Sequence, residues 1–145
     1  MPTPHKNSSE AWKEAMPHYR KFAADMTPQL QTLLSGRKPV PPQRPFTEAW
    51  ITYALYCQKS HLPVPLENVL ASADAINHAV PIAAEVAWAL LRLRKRGWLV
   101  EGGNTYGLTP ASRSSVGTTL GEGGLWERVK RLESWTTTHP TPVTK

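Results

Sequence analysis

Cysteine is almost absent from this 145-residue sequence, with Cys57 as its sole example. One thiol excludes an intrachain disulfide framework and any cysteine-based zinc cluster, and it suits a reducing compartment. Lying in an apolar helical run, Cys57 reads as buried packing. Long apolar runs are missing as well. No stretch approaches the roughly 20 residues that cross a bilayer, and the opening Met1-Pro2-Thr3-Pro4 begins no signal-peptide core, so a cytoplasmic location without a membrane partner is expected. The five histidines, His5, His18, His61, His78 and His139, show no paired ligand spacing, so neither metal nor cofactor is expected. Asp74 and His78, four apart, read as turn hydrogen bonding. Gly121-Glu122-Gly123-Gly124 lacks the Lys-Ser or Lys-Thr of a phosphate-binding loop. No nucleophile, base and orienting group form a set, and catalysis is not expected.

What the chain has is positive charge: 17 Lys and Arg against 11 Asp and Glu give +6. That balance favours an anionic partner, nucleic acid or an acidic protein surface, and it equally serves solubility. The length holds one compact core with appendages rather than two. The 14 prolines and 9 glycines are clustered and divide the chain: a tail over 1–8, an amphipathic helical arm over 9–36, a basic proline-rich linker over 37–45, a central domain over 46–116, a glycine-rich joint over 117–124, a C-terminal helix over 125–135 and a disordered tail over 136–145.

Within the arm, Trp12, Met16, Tyr19 and Phe22 recur at helical spacing and need a covering surface. Pro17 predicts a kinked helix or two short ones, and Thr27-Pro28 predicts a new start carrying Leu30, Leu33 and Leu34 to Gly36. Arg37, Lys38 and Arg44 stand in the linker, which reads either as an arm along phosphates or a minor groove or as a stiff spacer. The next helix is expected from Phe46 to about Ser60, with Thr47 as cap, Glu48 in the first turn and Phe46 packed on Ile51. It carries two apolar stripes, so it is buried from two directions. A short edge strand over 62–65 precedes a helix through Leu66, Val69, Leu70 and Ala73. A turn over 74–80 then leads to a helix that Pro81 opens and Gly97 ends, with Arg92, Arg94, Lys95 and Arg96 at its negative end. Trp98 to Glu101 and Thr105 to Leu108 form a hairpin about Gly102, Gly103 and Asn104. Leu125, Trp126, Val129 and Leu132 make one face of the last helix.

The run Val86-Ala87-Trp88-Ala89-Leu90-Leu91-Arg92-Leu93-Arg94-Lys95-Arg96-Gly97-Trp98-Leu99, with Tyr106-Gly107-Leu108-Thr109-Pro110-Ala111 after it, resembles the recognition helix, wing and post-wing segment of MarR- and PadR-like winged-helix proteins. The likeness covers residues of about 46–112. It implies a mainly α winged helix-turn-helix fold with a small β-hairpin wing and additional N- and C-terminal helices, and a homodimeric regulator that binds double-stranded DNA. On that reading Arg92, Arg94, Lys95, Arg96, Asn104 and Arg113, with Arg37, Lys38 and Arg44 of the linker, contact DNA. Dimerisation falls to Trp12, Met16, Tyr19, Phe22, Leu125, Trp126, Val129 and Leu132, apolar groups beyond what one small core needs. Ala83, Ala84, Glu85, Ala87 and Trp88 supply none of the side chains that read base edges. Ala84, Ala87, Trp88 and Leu91 therefore fit three uses: a protein partner in a larger assembly, internal packing, or an unusual DNA contact.

Overall fold

A computed structural model describes residues 8–58 and 62–141, with side chains from Lys13 onward. Six helices and one small sheet make up the described residues: α1 (Ser8–Leu34), α2 (Pro45–Tyr56), β1 (Val64–Pro65), α3 (Leu66–Asn77), α4 (Ala83–Arg96), β2 (Leu99–Gly102), β3 (Thr105–Leu108), α5 (Pro110–Leu120) and α6 (Leu125–Thr138). The sheet is antiparallel in the order β1-β3-β2, with Val64 opposite Tyr106 and Leu99 opposite Leu108. Between β2 and β3 the turn residues Gly103 and Asn104 have φ of 58° and 61°, the left-handed pair that a two-residue hairpin needs to follow the twist of its strands. The fold is mainly α, as expected.

α2 is the centre of the molecule. Every residue from Thr47 to Leu55 is buried, because α3 and α4 cover one side while α5 and α6 cover the other. α1 lies across α3 and α4. One continuous apolar core results, running from Leu30 and Leu33 through Ile51, Leu70 and Leu90 to Val116 and Leu132.

Several boundaries differ from the sequence expectation. α1 is a single helix that passes through Pro17 and Pro28. Each proline removes one amide donor, to Lys13 and Ala24 respectively, but both of those residues are exposed and water can replace the donor. α2 stops at Tyr56 and Cys57 is exposed, not buried; the expected end at Ser60 lies outside the described residues. Arg44, not Thr47, holds the N-cap position with Pro45 following, and Phe46 stacks on Trp50. α3 continues through Asp74 to Asn77 and ends on His78 at φ 53°. α4 begins after Pro81, where the Ile82 amide donates to the Glu85 side chain at 3.0 Å. The joint is shorter than expected, because α5 extends to Leu120. α6 runs on to Thr138, into the segment expected to be disordered. Residues 1–7 and 142–145 of the expected tails lie outside the described residues.

Candidate functional site

α4 ends in four cations within five residues, and its three arginines are engaged by other groups of the fold. Glu48 is 2% exposed in the first turn of α2. Its two carboxylate oxygens accept from Arg92 Nε at 2.5 Å and Arg96 Nε at 2.7 Å. Arg92 also lies over the Trp88 ring, 5.1 Å from its centroid. Arg96 extends beneath Trp98 and Trp135, which stack on each other at 4.9 Å, and donates to the His139 carbonyl, so α6 is fastened to the end of α4. Arg94 grips Glu101 of β2 with two hydrogen bonds of 2.8 and 2.7 Å and donates to the Leu34 carbonyl at 2.9 Å.

Arg113 and Asn104 are likewise engaged within the fold. The Arg113 guanidinium bonds the carbonyls of Leu55, Tyr56 and Gln58 at 3.0–3.3 Å, supplying donors that the end of α2 lacks. Asn104, in the hairpin turn, donates to Thr27 at 3.0 Å and accepts from Gln31 at 3.0 Å and from Tyr106 at 2.9 Å, so the tip of the hairpin is seated on α1. Of the nine residues expected to meet DNA, the side chains of Arg92, Arg94, Arg96, Arg113 and Asn104 thus make internal contacts. A charge count cannot separate these from solvent-facing cations.

Arg37, Lys38, Arg44 and Lys95 remain. All four are exposed, and none takes an ion pair among the described residues. The linker carrying three of them is tied at both ends to the last turns of α4. At one end Arg94 holds Leu34, three residues before Arg37; at the other Arg92 and Arg96 hold Glu48, four residues after Arg44. Lys95 sits between those arginines in sequence. Lys38 lies against Pro28, Gln29, Thr32 and Leu33 of α1 and Arg44 over the Phe46 ring, so the four exposed cations are spread over the linker and the last turn of α4.

The residues expected to meet a partner divide in two. Ala87 is fully buried and belongs to the core, whereas Ala84, Trp88 and Leu91 are half-buried along the outer side of α4, next to Ile82 at 62% exposure. The expected dimer surface is corrected more heavily. Val129 and Leu132 are fully buried in this chain's own core because α6 packs on α2. Tyr19 packs on α3, its hydroxyl donating to Asp74 at 2.6 Å. Burial and that bond push its phenol pKa up to about 12. Met16 is half-buried, and Phe22, Leu125 and Trp126 keep 38–48% exposure; the side chain of Trp12 lies outside the described residues.

Among the described residues no group of three or more His, Cys, Asp or Glu could hold a metal, and no helix is long and apolar enough to cross a membrane. No protein-family model, curated protein or solved structure matches the chain.

Proposed function

We propose that this chain is a winged-helix protein that binds duplex DNA through its phosphates, with the exposed cations of the linker and of the last turn of α4 as the grip. The observation that carries the reading is free positive charge: Arg37, Lys38, Arg44 and Lys95 are exposed and, among the described residues, without acid partners. Two further features support it. From α2 to β3 the order is helix, strand, helix, helix, strand, strand, with the first strand paired to the last, which is the arrangement expected of a winged helix. The net charge of +6 favours a polyanion.

Ala83, Ala84, Glu85, Ala87 and Trp88 at the start of α4 offer no base-reading side chain, so binding is led by the backbone and tolerant of sequence. A role in transcription, with a second copy supplying the other half of the grip, belongs to the same proposal. Titrating labelled duplex at two salt concentrations tests it. Four phosphate contacts give a log–log salt slope of about −3.6, or roughly a hundredfold loss of affinity between about 50 and 200 mM salt. Lys95→Ala and Lys38→Ala should each flatten that slope by about 1. Absence of binding at low salt ends the proposal.

A second reading has its own observation. Ile82, Ala84, Trp88 and Leu91 form an apolar line on the outer side of α4, with Arg92 stacked on the tryptophan. Tryptophan and arginine are the residues most enriched at protein-binding hot spots. If the chain serves as an interaction module, Trp88→Ala removes a protein partner and leaves DNA binding intact.

A further inference from the structure

Three aromatic rings form a series that leads from the core to solvent. Trp50 is buried and fixed, its indole Nε1 donating to the Ala73 carbonyl at 2.8 Å. Phe46 stacks on it with ring centres 5.9 Å apart and planes inclined by 21°. Trp126, in the first turn of α6, follows at 6.2 Å and 30°, and it is 48% exposed. No further ring covers it among the described residues. Positive charge flanks this outer ring. Arg44 lies over Phe46, 5.9 Å from its centroid, and Lys130 stands exposed one helical turn beyond Trp126. The acids nearby are Glu122, exposed four residues before Trp126 with its carbonyl held by Arg131, Glu127, which faces Arg131 at 3.8 Å, and Glu133, half-buried and about two turns along α6.

We propose that Trp126 takes an unpaired base of a single-stranded nucleic acid as the next member of this stack, with Arg44 and Lys130 on the adjoining phosphates. The inference rests on the nucleic-acid reading above and extends it to a second kind of strand. A rigid aromatic face bordered by cations is the chemistry that binds single strands without regard to sequence. The same charges disfavour a second copy of this chain, because a two-fold contact through Trp126 would set Arg44 and Lys130 against their own images. Arg44 is also one of the exposed cations of the proposed duplex grip.

The experiment compares anisotropy titrations of the full chain with a labelled oligothymidylate of about 12 nucleotides and with a duplex of equal length. Trp126→Ala should weaken strand binding about tenfold and leave duplex binding unchanged, while Trp126→Phe should keep most of the strand affinity. Lys130→Glu, at an exposed position, should also weaken the strand more than the duplex, and it serves as the test should Trp126→Ala prove unfolded by circular dichroism. Duplex binding without strand binding, or equal effects of Trp126→Ala on both probes, overturns this inference and leaves the proposed function standing. Failure of wild type to bind either probe overturns both. Sedimentation showing a dimer that Trp126→Ala converts to monomer identifies a second copy as the occupant and also overturns the inference.

Discussion

Glu48→Ala is the substitution whose consequence can be worked furthest. The Glu48 side chain is 3% exposed, that of Arg96 5% and that of Arg92 24%. With the carboxylate removed, Arg92 can turn toward solvent and retain its contact with Trp88. Arg96 cannot, since Trp98, Trp135 and the end of α6 enclose it. It keeps one carbonyl acceptor and two ring faces but loses its counter-charge. Leaving a buried charge uncompensated costs about 3–5 kcal/mol, which is a large part of the roughly 5–15 kcal/mol that holds a domain of this kind together. Urea unfolding followed by tryptophan fluorescence should show a midpoint moved down with the denaturant slope preserved. Arg96→Met alone should cost less, because Glu48 keeps Arg92. The double variant should be more stable than the sum of the two single changes implies, with a coupling of at least about 1 kcal/mol. A loss below about 1 kcal/mol for Glu48→Ala, or strict additivity in the cycle, would refute the view that this carboxylate neutralises Arg96.

Other outcomes follow from other contacts. Tyr19 has a folded-state pKa raised to about 12 from the usual 10; its contribution is therefore complete below pH 10 and disappears as pH rises toward 12, and Tyr19→Phe should remove that part of the alkaline loss measured by thermal unfolding. Gly107→Ala would place a Cβ 3.2 Å from the Pro63 Cα, a backbone atom that cannot move aside cheaply, so β1 should lift from β3 at a cost of about 1–3 kcal/mol in denaturant unfolding; an unchanged midpoint contradicts the close approach. Asn104→Ala should be more damaging than Asn104→Gly by about 1 kcal/mol, since both lose the bonds to α1 but only glycine accepts the positive φ without strain. Equal losses in urea would show that the turn conformation carries no weight there.

The parts of the fold that could be read from sequence are those whose signal is local. Gly97 as a helix stop, Gly103 and Asn104 as a turn, and the helical spacing of Leu66, Val69 and Leu70 each act within a few residues. α5 was hidden because Ser114, Ser115, Gly117, Thr118 and Thr119 are weak helix formers; in the structure Thr109 caps it by accepting from the Ser112 amide at 3.1 Å, with Pro110 following. Burial of Val116 and Leu120 against neighbouring elements outweighs that propensity. The candidate site was legible as a count of charges but not as an arrangement. Glu48 lies 44 residues from Arg92 and 48 from Arg96, and nothing local in the sequence announces that one acid will receive both. Arg113 likewise resembles any surface cation until the carbonyls at the end of α2 are set beside it. The linker cations Arg37, Lys38 and Arg44 were readable because prolines keep their segment out of the helices on either side.

The placement of α2 bears on the order in which the molecule can be assembled. It is a partition shared by two half-cores, one closed by helices near it in sequence and the other closed by α6, some seventy residues downstream. A chain emerging from the N-terminal side must therefore keep the flank of α2 that bears Tyr53 uncovered until the final helix has been made. During that interval an apolar wall faces water, so synthesis halted before Leu125 should yield a sticky intermediate rather than a smaller version of the native protein.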